Sequence, residues 1–443
     1  MGKNRSAENP EQRTRATPLL FLAALLPAIV AYGLLYFEAY SVPYQDDYAV
    51  ILAFATEYQQ LPTLRAKILD VATKQNNDYK LAFEHSIVAA EMELTGHLNF
   101  SFLICLGDLF LLPVAYLLWH IYRPEEIDLN RRLIEFIPMS ILFFSLTYWQ
   151  SLNWAMAGLQ NLPVILFSFL AIRLVIPKGS APPTWPFLFL GCLSAVLAAF
   201  SSANGFLLAP IGAVILLSRR SVAHALVWCA SFTVPLATYL YHYTPYQVSV
   251  HEMHHASFVH KVFYLLAFMG CAIPFHWPAA LLGIVISAVI FLALYSRVDR
   301  THPIPFYCTV WIVATAFLVA WLRGGIASRY SIYSLLLLIF CYSFLLQYLP
   351  SHSTAFTRRR VYATSVALAI ALCLVGDLAA HKHLSAQRRM VQTGMERYRD
   401  SPEVNSPMIN PEVIAVAPEE AAFERDTLTR AIQNHIYTLP PKP

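Results

Sequence analysis

Two adjacent carboxylates, Asp46 and Asp47, sit between tyrosines in the run Tyr44-Gln45-Asp46-Asp47-Tyr48. Like charges this close repel, so the pair suits a site where one acid takes a proton and the other orients a substrate or a divalent cation such as magnesium or manganese. The same acids could instead cap a following helix, whose first turn favours negative charge. Glu84-His85 adds an imidazole that titrates near neutral pH and could hold a phosphate, or could simply tie its helix to the loop. Gln150, Asn153 and Trp154 set neutral amides beside an indole. That combination suits sugar hydroxyls and a pyranose face, and equally an aromatic belt at a membrane interface. Ser201, Ser202, Asn204 and Gly205 read as a tight turn near the same place.

The run His251-Glu252-Met253-His254-His255 matches H-E-x-x-H, with His251 and His255 four apart on one helical face. A zinc site needs a further ligand in a buried setting, and the sequence offers none nearby. His254 and His255 therefore read as contacts for a sugar phosphate or carrier headgroup, or as part of a solvated loop. Arg323 and Arg329 bracket Gly324-Gly325. Planar guanidiniums match phosphate geometry, and the anion they face is either a lipid headgroup or a polyprenyl phosphate. Asp108 and Asp377 lie in apolar runs, where an ionised carboxylate is costly, so Asp108 should face the protein interior. The seven cysteines form no CxxC pair and read as buried hydrophobes.

A membrane must position these groups. The 443 residues are 57% hydrophobic and only 13% charged, with a mean hydropathy of +0.50, whereas soluble domains carry roughly 25% charged residues. Abundant aromatic and apolar residues exclude disorder, and a dispersed net charge of +4 gives no footing for nucleic acid. A span needs about 20 mainly apolar residues, and the apolar runs predict an all-α, polytopic bundle of about 11 transmembrane helices, of which 206–218 is short. They fall near 18–38, 100–122, 133–149, 162–177, 185–201, 206–218, 223–243, 278–296, 305–322, 331–349 and 361–380.

Arginine and lysine placement puts residues 1–17 in the cytoplasm and makes 258–275 a segment lying in or re-entering the outer interface. The transmembrane domain then covers 18–380. An outside loop at 39–99 carries two interfacial helices, one capped by Thr63 and one running from about 82 to Gly96. An outside tail at 381–443 carries helices at 381–399 and 418–436.

An Asp-Asp pair in the first outside loop, two interfacial helices after it and a many-span bundle resemble the GT-C class of membrane glycosyltransferases. The resemblance covers roughly the first 250 residues. It implies transfer of a sugar from a polyprenyl-phosphate carrier to a glycan or lipid acceptor at the outer face of a bacterial inner membrane. It also implies that Asp46 or Asp47 is the catalytic base or a metal-site residue. On that expectation Arg329, with Arg323 or the histidines, holds the carrier phosphate, and the 150–160 loop seats the sugar. Asp46, Asp47, His85, His254 and Arg329 should then line one outward-opening cavity. The alternative is a flippase for a polysaccharide or lipid-linked sugar, which requires a polar path at mid-membrane depth.

Overall fold

The computed structural model describes residues 10–122, 127–177, 179, 181–245, 256–322, 326–348, 354–402 and 418–441. Among them, nine helical stretches are long and apolar enough to cross a bilayer. Helix α1 (Pro10–Glu38) contributes the first span. After it come α2 (Phe54–Gln60), α3 (Leu64–Thr73), a hairpin of β1 (Gln75–Asn76) and β2 (Tyr79–Lys80), and α4 (Ala82–Thr95). The second span is α5 (Phe100–Leu109) continued by α6 (Leu111–Ile121), and the third joins α7 (Leu129–Phe143) to the short α8 (Trp149–Leu152). Then come α9 (Ala155–Val175), α10 (Trp185–Ser201), α11 (Leu208–Ser218), and α12 (Val222–Ser231) with α13 (Thr233–Leu240). The remaining helices are α14 (Phe258–Met269), α15 (His276–Tyr295), α16 (Val298–Thr301), α17 (Pro303–Leu322), α18 (Ser331–Tyr348), α19 (Ala355–Asp400) and α20 (Pro418–Gln433).

The all-α bundle expected from the apolar runs is therefore what the chain forms. Helices α10 and α11, at 17 and 11 residues, fall short of a full span, as does α14. The interior is built on α9 and on Ser328–Gln347, where 78% of each apolar window is buried, against 22% for the first span. The peripheral helices turn leucine, isoleucine and phenylalanine outward, as a lipid-facing surface requires. We call the end where α1 starts proximal and the end where it finishes distal.

The segment 258–275 does not cross. Phe258 and Lys261, at the start of α14, pack on Trp321 at the distal end of α17. The other end of α14 lies deeper, where Phe268 stacks on Tyr333. The chain then returns, and Phe275 and His276 line the same distal hollow as Ala327 and Ser328. Backbone turning back inside a bundle must find partners there. Two buried serines of α18 supply them. Ser334 Oγ accepts the Ala272 N–H at 3.0 Å and donates to the Met269 carbonyl at 2.8 Å. Ser331 Oγ donates to the Cys271 carbonyl at 2.8 Å. Gly270 and Gly283 let α14 and α15 touch backbone to backbone, since a Cβ on either would overlap a carbonyl of the other helix.

The tail differs from expectation. The last span and the 381–399 helix are one 46-residue helix, α19, with no proline or glycine break where the apolar run ends. At 1.5 Å per residue it is roughly 69 Å long, about twice a hydrocarbon core of about 30 Å, so its C-terminal half stands beyond the distal end. There Val391, Met395 and Tyr398 of α19 and Leu428 of α20 share a core with Val42, Tyr48, Ile51 and Val88 of the first loop. The Leu98 N–H donates to the Ile436 carbonyl at 2.7 Å, closing loop and tail together.

Candidate functional site

The structure separates the two adjacent acids. Asp47 is 1% exposed, and both of its oxygens are engaged: Oδ2 accepts the Tyr44 N–H at 3.0 Å and Oδ1 accepts the Met156 N–H at 2.9 Å. It thus ties the 44–47 turn to the first turn of α9, and Gln45 takes a left-handed φ of 48° in that turn. Burial pushes the Asp47 carboxyl up to about 8, with the Asp46 charge adding to the rise and the two backbone N–H groups opposing it. Asp46 is half-buried beside it. The chain continues from Asp47 into a π-helix, Tyr48–Ala53, a wide turn that is uncommon and often found near functional sites.

Glu84 and His85 do sit at the start of α4, but both are buried. The Glu84 oxygens have no hydrogen-bond partner among the described residues. Burial, then the charges of Asp47 and Asp46, hold its carboxyl well above the usual carboxylate range. His85 stacks on Phe54 with centroids 4.2 Å apart. Its ring nitrogens face the backbone of Val50 and Val71 without closing a hydrogen bond. Burial lowers its pKa to about 4, so the ring is neutral at physiological pH and a phosphate-binding role does not suit it.

The amide and indole residues are also drawn apart. Trp154 is 1% exposed and packs edge-on against Tyr44 at 5.6 Å. Its indole N–H lies near Asp47 outside hydrogen-bond geometry. Enclosed in this way, the ring cannot stack on a sugar. Its other neighbour is Arg329, whose guanidinium lies 5.3 Å from the Trp154 centroid and 5.3 Å from that of Tyr330. Gln150 Oε1 accepts the Arg329 backbone N–H at 3.3 Å, and Asn153 Nδ2 donates to Gln387 of α19 at 3.3 Å. Gln150 and Asn153 therefore brace the site. His254, His255 and Arg323 lie outside the described residues. Of the acids within the spans, Asp108 is buried, as expected. Asp377 Oδ1 accepts from Ser145 Oγ at 2.6 Å and from the Leu146 N–H at 2.7 Å, capping the break between α7 and α8.

What Arg329 does reach is a distal cavity of about 430 Å³ between α9, α13, α14, α17 and the start of α18. Lys261 joins Arg329 on its wall, and no described carboxylate pairs with either. Asn161, Asn204 and Tyr333 supply neutral polar groups. Asn204 Nδ2 donates to Tyr333 Oη at 3.1 Å, while its buried Oδ1 has no hydrogen-bond partner among the described residues. The turn carrying Asn204 presses so closely on α10 that a Cβ at Gly205 would overlap the Ala198 backbone.

The acid on this wall is Asp78, not Asp46 or Asp47. Asp78 sits in the two-residue turn of the β1–β2 hairpin, after Asn77 at φ 50°, a conformation that asparagine tolerates. Lys80, 4% exposed, fixes the hairpin by donating to the Thr238 carbonyl at 3.1 Å and to the Tyr241 carbonyl. A cation at the carbonyl end of α13 is favourably placed. Gln75 pairs with Thr244 through both its amide atoms, and Tyr239 Oη donates to the Asp78 carbonyl. The Tyr243 hydroxyl is raised by burial and then by the Asp78 charge. The only sequence signal for this acid was Asn76-Asn77-Asp78, a turn string between polar residues.

No protein-family model, curated protein or solved structure matches this chain. Among the described residues, no three His, Cys, Asp or Glu side chains are grouped to hold a metal ion. Beneath the distal cavity, the rings of Phe169, Trp311 and Phe340, all 0% exposed, fill mid-depth with centroids 6.0 and 5.6 Å apart.

Proposed function

We propose that the chain is a membrane glycosyltransferase that takes a sugar from a polyprenyl-phosphate carrier and passes it to a glycan or lipid acceptor. In this reading its distal end faces out from a bacterial inner membrane. The observation that carries the reading is the distal cavity, where, among the described residues, Lys261 and Arg329 have no carboxylate partner and share a wall with one acid, Asp78, and several amides and hydroxyls. An acceptor oxygen would attack the anomeric carbon as its proton passes to Asp78. The anomeric C–O bond to phosphate breaks, and the departing phosphate keeps the electron pair. Lys261 and the planar Arg329 hold that developing charge, while Asn161, Asn204 and Tyr333 contact sugar hydroxyls. Asp47 takes no proton in this scheme. It fixes the α9 start that presents Asn161, and its neighbour Trp154 seats the Arg329 guanidinium.

The flippase alternative calls for a polar path through the bundle, and the packed Phe169, Trp311 and Phe340 leave it less support. The test is release of polyprenyl phosphate from a panel of polyprenyl-phosphate sugars by protein in nanodiscs. Asp78→Asn should abolish release while leaving the thermal midpoint in place. Wild-type turnover in Asp78→Asn and in Lys261→Gln would remove the assignment, and lipid-linked sugar crossing vesicles without turnover would favour the flippase.

A further inference from the structure

At the proximal end, opposite the distal cavity, lies a larger hollow of about 1370 Å³ between the ends of α6, α9 and α11 and the starts of α7, α10 and α17. Among the described residues four arginines line it, Arg132, Arg173, Arg219 and Arg300, against a single acid, Asp299, which forms an ion pair with none of them. Two of the four are oriented by the fold. Arg132 donates to the Trp119 carbonyl at 2.5 Å and lies over the Trp119 ring at 4.7 Å. Arg219 Nη1 donates to the carbonyls of Gly179 and Ala181, each at 2.8 Å. The side chains of Arg173 and Arg300 make no hydrogen bond or ion pair among the described residues. Arg173 is half-buried on α9, the helix at the centre of the bundle. Its charge and that of Arg132 both reach His120.

Cations gathered about one hollow repel each other unless an anion sits among them. Guanidiniums from separate helices suit the tetrahedral oxygens of phosphate better than a single flat carboxylate. Phe187 and Tyr116, both on this wall and exposed on the bundle's flank, give it an apolar rim. We propose that this hollow binds a phosphate or diphosphate group, carried either by an anionic lipid of the proximal leaflet or by a small soluble molecule. The site does not depend on the transferase reading, because it shares no residue with the distal cavity.

The full chain in nanodiscs tests it, with phosphatidic acid in a phosphatidylcholine background as one probe and inorganic diphosphate in phosphatidylcholine alone as the other. Native mass spectrometry reads retained lipid, and the thermal midpoint reads diphosphate. At about a factor of five per arginine, Arg173→Gln with Arg300→Gln should weaken the responding probe roughly thirtyfold. Arg359→Gln with Arg360→Gln removes the same charge from the same end, away from the hollow, and should change neither. Loss of phosphatidic acid retention assigns the anion to lipid, and loss of diphosphate stabilisation assigns it to a soluble ligand. Should the double variant fail to purify, Arg300→Gln alone, at an exposed position, should show about a fivefold loss. Wild-type behaviour of the hollow variants towards both probes, or an equal loss in the Arg359/Arg360 control, overturns the site.

Discussion

Replacing Asp47 by alanine removes the only side chain that accepts both the Tyr44 N–H and the Met156 N–H, at a position 1% exposed. Each backbone donor left unpaired in the interior costs about 1–3 kcal/mol, so the alanine variant should lose roughly 2–6 kcal/mol. That is a large share of the roughly 5–15 kcal/mol that separates folded from unfolded chains. Asparagine keeps one acceptor oxygen and orphans one donor, for a loss of about 1–3 kcal/mol. The order of stability is therefore wild type, Asp47→Asn, Asp47→Ala, read from thermal midpoints of detergent-purified protein.

The pH profile sharpens the prediction. Because the Asp47 carboxyl is raised to about 8 in the folded chain, its neutral form is the one the fold favours. That contribution is complete below the ordinary carboxylate range and is lost as pH climbs through about 8. Asparagine cannot ionise, so the gap between wild type and Asp47→Asn should narrow between pH 6 and pH 9. An alanine variant as stable as wild type but devoid of turnover would refute the tether and return Asp47 to a catalytic role.

Ser334→Ala leaves the Ala272 N–H and the Met269 carbonyl unpaired beside the re-entering segment, and should lower stability by about 2–5 kcal/mol in the same melts. Gly205→Ala forces a Cβ into the Ala198 backbone and should cost about 1–3 kcal/mol, with weakened donor binding because Asn204 must move. Glu84→Gln keeps the shape of a side chain whose carboxyl is raised well above its ordinary range, so its melting at pH 7 should stay within about 1.5 kcal/mol of wild type. As pH rises above the ordinary carboxylate range the wild type should lose stability relative to this variant, since only the wild type has a buried acid to ionise.

The bundle was legible from the sequence because lipid imposes one rule on every span: apolar side chains outside and backbone bonds closed within the helix. Local signals held too. Thr63 caps α3 by accepting the Ala66 N–H at 3.2 Å, and Gly96 ends α4 at φ 74°. The site was far less legible. Asp46-Asp47 attracts notice as a charge pair, yet burial at Asp47 depends on Met156, 109 residues away. Lys261 looks like an ordinary flank of an apolar run until α14 dips inward and sets it beside Arg329. Asp78 owes its position to a two-residue hairpin held by Lys80 and Gln75, contacts that no periodicity reports. Where α19 ends was hidden for a different reason. A helix can leave the bilayer and continue in water without any change of backbone, so a shift in composition marks the membrane surface and not the end of the element.

That uninterrupted helix makes the tail a strut. Arg388, eight residues past the apolar stretch, still reaches the Phe37 carbonyl at 3.2 Å and Glu38 at 3.4 Å, where the first span ends. With no joint between membrane and tail, a push on α20 would be passed straight to the turn that carries Asp46 and Asp47. Cutting the chain after residue 380 would likewise strip a wall from the first loop and lay Tyr48 and Ile51 bare to water.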